Sequence, residues 1–182
     1  YMFELNRDQN DCRLVSYNAT TGDKIAELYR ETDAKYVEPL HPIVFLPWNS
    51  NEFVMQSQKD GYNHLYLFNK DGKELKQITK GKWEVLDFYG YDAKTRRFYF
   101  RSNQDGPLTS VVASIDVNGV VRRLSKVEGS NKAQFSANLA YYVLNHSDKD
   151  TPDVYTLYNT TTGKKLRDIE TNSAYAERFS GR

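Results

Sequence analysis

The chain has 182 residues, of which 39% are hydrophobic and 14% aromatic, enough for a packed core in one large domain or two small ones. Its 25 basic and 24 acidic residues give a formal charge of +1, which argues against a nucleic-acid protein and against electrostatic docking on anionic lipid. No apolar run approaches the roughly 18 residues that a membrane-spanning helix needs, and the single cysteine, Cys12, excludes an intrachain disulfide and a cysteine-based metal site.

The elements read, in chain order, as short strands only. The first group has three: Met2 to Asn6, Arg13 to Tyr17 and Lys24 to Tyr29. A chain that opens on Tyr1-Met2-Phe3-Glu4 opens in mid-strand and reads as a fragment, with no secretory signal of its own. The second group is the clearest. Ile43 to Leu46 ends at Pro47, Asn49-Ser50-Asn51 reads as a turn, and Phe53 to Ser57, Leu65 to Asn69 and Glu74 to Thr79 follow. The third comprises Val85 to Tyr89, Arg97 to Ser102, Ser110 to Asp116 and Val120 to Leu124. The fourth comprises Ala133 to Phe135, Ala140 to Asn145, Val154 to Tyr158 and Lys164 to Ile169. From Ser173 onward only one or two helical turns are conceivable, so a frayed tail or the root of a linker is expected over 173–182.

One hairpin glycine falls in each group. Gly22, Gly72, Gly119 and Gly163 recur at intervals of roughly 45–50 residues, the period of a repeat architecture. Four antiparallel strands per repeat, with tight turns and no helix, make a blade. The expected fold is therefore all-β: about four blades of a β-propeller, roughly half of an eight-bladed ring. The blades should span approximately 1–39, 40–82, 83–127 and 128–172, the first lacking its opening strand. Open blade edges would invite self-association.

The residues Gly61-Tyr62-Asn63-His64-Leu65-Tyr66, then Ile78-Thr79-Lys80-Gly81, then Trp83-Glu84-Val85 resemble the N-terminal propeller of dipeptidyl peptidase IV, in the prolyl-oligopeptidase class of serine peptidases. Pro39-x-x-Pro42, Phe135-Ser136 before Tyr141-Tyr142, and Tyr155-Thr156-Leu157 extend the resemblance from about Leu14 to Asn172. The Tyr36-Val37-Glu38-Pro39 run resembles bacterial members more than animal ones.

The resemblance implies an eight-bladed propeller followed by a C-terminal α/β-hydrolase domain, and a parent enzyme that removes X-Pro or X-Ala dipeptides from peptide N-termini. The propeller would gate access for the peptide substrate. A bacterial member implies the periplasm or cell envelope. No cofactor is implied.

The catalytic machinery is not legible in this stretch. No Gly-x-Ser-x-Gly elbow is present, so no catalytic residue is assigned and this segment alone should be inactive. In the family two adjacent glutamates bind the substrate's amino terminus, and no Glu-Glu pair occurs here. An aromatic-Arg pair precedes the family's Pro-x-x-Pro; here Val37 and Glu38 stand in those places. Tyr36 and Glu38 are the candidate rim residues.

His41, His64 and His146 lie far apart, and His64 reads as a structural brace of its turn. Trp83 reads as a packing residue of its blade. Neighbouring residues on a strand point in different directions, so His146-Ser147-Asp148 cannot form a triad among themselves. The alternative to a peptidase propeller is a stand-alone periplasmic propeller serving as a protein-binding scaffold.

Overall fold

A computed structural model describes residues 1–37 and 41–179. Fifteen strands and one short helix occur among them, and the chain divides into two compact units, 1–80 and 81–182.

Unit 1 holds two sheets. Strands β1 (Met2–Leu5), β2 (Asp11–Tyr17) and β3 (Lys24–Thr32) form a three-stranded sheet. Strands β4 (Val44–Leu46), β5 (Asn49–Ser57), β6 (His64–Asn69) and β7 (Glu74–Gln77) form a four-stranded one. Unit 2 holds two four-stranded sheets. The first contains β8 (Val85–Asp92), β9 (Arg97–Ser102), β10 (Val111–Asp116) and β11 (Val121–Arg123). The second contains β12 (Ser130–Phe135), β13 (Tyr141–Ser147), β14 (Val154–Asn159) and β15 (Lys165–Glu170). In every sheet the strands pair antiparallel in chain order, the meander of a propeller blade.

The local chemistry explains the repeat. Each turn between the last two strands of a sheet starts at an Asn or Asp and carries a glycine with positive φ, from 68° to 87° at Gly22, Gly72, Gly119 and Gly163. In the second blade the Asn69 side chain accepts the backbone N–H groups of Asp71 (3.1 Å) and Lys73 (2.8 Å). In the third, Asp116 accepts those of Asn118 and Val120, each at 2.9 Å. Gly72 has a second reason to be glycine: a Cβ there would lie 2.0 Å from the carbonyl oxygen of Leu28 in the neighbouring blade.

A second repeated device closes the outer strand. In blade 2 the N–H of Ile78 reaches the Leu65 carbonyl at 2.8 Å, while Leu65 N–H donates to the Thr79 hydroxyl at 2.9 Å. In blade 3 Leu124 N–H reaches the Val112 carbonyl at 2.9 Å, while Val112 N–H donates to the Ser125 hydroxyl at 2.9 Å. An Ile-Thr or Leu-Ser pair is thus a latch: its backbone extends the ladder and its hydroxyl caps the strand beside it.

Apolar side chains alternate into cores between blades. In unit 1, Leu14 and Leu28 from blade 1 pack with Phe53, Met55, Tyr66 and Phe68 from blade 2. Phe53 and Phe68 stack with centroids 5.6 Å apart. In unit 2, Val112 of blade 3 packs with Ala133, Tyr142 and Leu144 of blade 4, bordered by Tyr89 and Phe135.

Two expectations change. Asn49-Ser50-Asn51 is not a turn. The reversal falls on Pro47-Trp48, where proline pre-sets φ for a tight turn, and β5 begins at Asn49, opposite Leu46. The tail is not frayed throughout: Ser173–Phe179 forms helix α1, whose first turn closes through Tyr175 and Ala176 N–H onto the Asn172 carbonyl, both at 3.0 Å.

Candidate functional site

A polar cleft of unit 1 lies where the end of β3 and the segment after it meet the β5–β6 turn. It is lined by Tyr29, Glu31, Asp33, Tyr36, Val37, Gln58, Lys59 and Gly61, among others. Strand alternation places Tyr29 and Glu31 on the same face of β3, and the close of β5 brings Ser57 to them. Tyr29 Oη lies 2.9 Å from Glu31 Oε2, Ser57 Oγ lies 2.8 Å from the same oxygen, and the two hydroxyls are 2.8 Å apart. Two hydroxyl protons serve three oxygen–oxygen edges, so at least one always points at the carboxylate, which is thereby fixed in orientation. Burial raises the Tyr29 phenol well above its ordinary value, which keeps it a donor across the physiological range.

Tyr36 is positioned by its backbone. Asp33 Oδ1 accepts the N–H groups of Lys35 (2.7 Å) and Tyr36 (3.2 Å), an arrangement that holds the Asp33 carboxyl below its usual range. Val37 N–H then binds the Gln9 carbonyl at 2.7 Å, and the Val37 side chain is buried. The result is a Tyr36 ring left 51% exposed beside the cleft. Glu38, the other candidate rim residue, lies outside the described residues.

The cations nearby are engaged elsewhere. Arg30 forks onto Asp11 with both contacts at 2.9 Å, and Arg13 shares that carboxylate. The Lys59 ammonium pairs with Glu74 and sits 4.5 Å above the Tyr66 ring, and burial lowers its pKa. Behind the cleft, Cys12 is a buried strand residue whose thiol pKa is raised by that burial.

The remaining sequence candidates have structural partners. His64 is fully buried with Nδ1 3.0 Å from the Thr79 hydroxyl, so it braces the latch of its own blade. Trp83 stacks on Phe100 with centroids 6.2 Å apart, and its indole lies where a Cβ on Gly81 would be 2.3 Å from Nε1. Glu84 N–H is held by Asn103 Oδ1 at 2.7 Å, and Val85 is buried. The Gly-x-Trp-Glu-Val run is therefore a packing motif.

His146 and Asp148 do meet, at 3.2 Å, where the chain leaves β13 just after Ser147. His146 also lies 2.8 Å from Asn131 Oδ1, whose amide nitrogen donates to the Ser110 carbonyl at 2.8 Å. This network ties blade 3 to blade 4. Among the described residues no three metal-capable side chains converge. Beside the cleft the Ser57 hydroxyl faces the Glu31 carboxylate and the Tyr29 phenol, not an imidazole, so these three side chains do not form a nucleophile–base pair of the Ser–His kind.

What sequence reasoning missed is Glu31 and its two hydroxyl partners. Their spacing, Tyr29-x-Glu31 on one strand, was readable, but Ser57 is remote in sequence and only the packing of blades brings it in.

The four antiparallel meander sheets define a set of β-propeller blades. Residues 1–153 match the model of the dipeptidyl peptidase IV (DPP IV) N-terminal region, and the chain belongs to that family. It is 30% identical over 182 residues to dipeptidyl peptidase 4 of Trichophyton equinum, covering 96% of this chain and 23% of that protein. It is 31% identical over 148 residues to a probable dipeptidyl peptidase 4 of Aspergillus flavus, covering 80% of this chain and 18% of the relative.

Among solved structures, dipeptidyl peptidase 4 of Porphyromonas gingivalis superposes with a TM-score of 0.85 at 31% identity, over 97% of this chain and 25% of that one. A putative dipeptidyl aminopeptidase IV from Bacteroides ovatus does so with a TM-score of 0.82 at 36% identity, over 93% of this chain and 27% of that one. The chain thus spans between 18% and 27% of the length of these relatives.

Proposed function

We propose that this chain is the non-catalytic propeller portion of a serine exopeptidase that removes N-terminal X-Pro and X-Ala dipeptides, and that its blades gate the path of the peptide to a buried site. The observation that carries this reading is the family match over residues 1–153, supported by two bacterial structures that superpose along nearly the whole chain. The partner is a C-terminal α/β-hydrolase domain of the same polypeptide, which supplies Ser, His and Asp. Tyr36 and Glu38 contribute to the substrate rim, and the protein works in the periplasm or cell envelope. The free edge of β1 makes the isolated chain self-associate.

The test is to read the gene beyond Arg182 for several hundred codons. A Gly-x-Ser-x-Gly followed in order by Asp and His sustains the peptidase reading. A stop codon or an unrelated module replaces it with a protein-binding scaffold.

A further inference from the structure

From the cleft at the end of β3 we propose that Glu31 forms, with the Tyr36 ring, a subsite for a basic side chain of a bound peptide, a reading that rests on the peptide-binding function above. Three observations carry it. The Glu31 carboxylate is preset: Oε2 is held by the Tyr29 and Ser57 hydroxyls at 2.9 and 2.8 Å, so little ordering is needed on binding. Among the described residues no cation lies within ion-pair distance of it: Arg30 is committed to Asp11, and Lys59, although close enough to feel the Glu31 charge, makes its contact with Glu74. An exposed aromatic ring, Tyr36, lines the same cleft. A fixed carboxylate with an aromatic wall recognises an ammonium or guanidinium through a charge-assisted hydrogen bond and a cation–π contact.

A purely structural role predicts otherwise. If Glu31 only clasps blade 1 to blade 2, its loss lowers stability and leaves peptide selectivity untouched.

The experiment uses the full-length protein that contains this chain. The peptides are Gly-Pro-(Ala)4 variants in which lysine, arginine or norleucine is placed in turn at each position beyond proline. At one register the unaltered protein should favour the basic peptide over norleucine by on the order of tenfold in kcat/KM, and the preference should shrink with added salt. Glu31→Gln, which keeps an acceptor oxygen for the two hydroxyls, should bring the ratio close to one, and Tyr36→Ala should lower it part of the way. An unchanged ratio in Glu31→Gln, or no basic preference at any register, overturns the subsite.

Failure of the underlying reading is separable. If the unaltered protein does not release p-nitroaniline from Gly-Pro-p-nitroanilide, the peptidase assignment falls. The subsite is then decided by titrating a fluorescein-labelled Gly-Pro-Arg peptide. Saturable binding abolished by Glu31→Gln sustains it, and no binding, or equal binding by both proteins, overturns it.

Discussion

Replacing Thr79 by valine should unlatch blade 2 with almost no change of shape. The Thr79 hydroxyl accepts Leu65 N–H at 2.9 Å and lies 3.0 Å from His64 Nδ1. Thr79 is 1% exposed and His64 0%, so water cannot take over either bond. Leaving a buried polar group unpaired costs about 1–3 kcal/mol, and two are left here, so Thr79→Val should cost about 2–5 kcal/mol. Thr79→Ser keeps the hydroxyl and loses one methyl group, worth about 1 kcal/mol.

The assay is urea unfolding followed by tryptophan fluorescence. With a slope of about 2 kcal/mol/M, Thr79→Val should lower the midpoint by roughly 1–2.5 M and Thr79→Ser by about 0.5 M. Hydrogen exchange at the Leu65 amide should accelerate in the valine variant and not in the serine one. The equivalent in blade 3, Ser125→Ala, should cost about 1–3 kcal/mol, because it strips one hydrogen-bond partner from the N–H of Val112, which is 0% exposed. A valine variant as stable as the serine variant would refute the latch.

Gly72→Ala and Gly119→Ala share a turn and a φ, +86° and +87°, so both carry left-handed strain of about 1–2 kcal/mol; only the first also drives a Cβ into the Leu28 carbonyl. Thermal denaturation should therefore rank Gly72→Ala well below Gly119→Ala. Phe53→Ala, which removes a fully buried ring stacked on Phe68, should cost about 3–5 kcal/mol, measured by the same urea titration. Asp148 is held down to about 2, first by the backbone N–H of Asp150 and then by the Thr151 hydroxyl, with a smaller contribution from His146. Its folded pKa lies below the unfolded value of about 3.9, so its contribution is present above about pH 4 and fades as pH falls toward 2. Asp148→Asn should flatten that part of the acid stability curve, and an unaltered acid limb would contradict the assignment.

How much of this was legible in the sequence depends on the range of the interaction. The turns were readable because their chemistry is local: an Asn or Asp accepting N–H groups a few residues on, then a glycine at positive φ. Strand order followed, since each hairpin forces antiparallel neighbours. The latch was visible only as the single Ile78-Thr79 pair, and its purpose emerged from the amide-to-hydroxyl bond across 14 residues. The turn at Pro47-Trp48 was misplaced by two residues because Asn49-Ser50-Asn51 has turn composition, yet proline at 47 fixes the reversal earlier. Of the Glu31 cleft only the Tyr29-x-Glu31 spacing was readable, because the two reach Ser57, 26 to 28 residues away, only through packing of one blade on the next. The family likeness was legible through Trp83-Glu84-Val85, and the structure shows Trp83 stacked on Phe100 and Val85 buried in the blade.

The most direct test of the account is release of p-nitroaniline from Gly-Pro-p-nitroanilide by the full-length protein, measured with and without a serine-directed phosphonate, beside this chain alone. Hydrolysis by the full-length protein, its loss on phosphonate treatment and no hydrolysis by the chain alone are the expected results. Turnover by the chain alone, or none by the full-length protein, would contradict it.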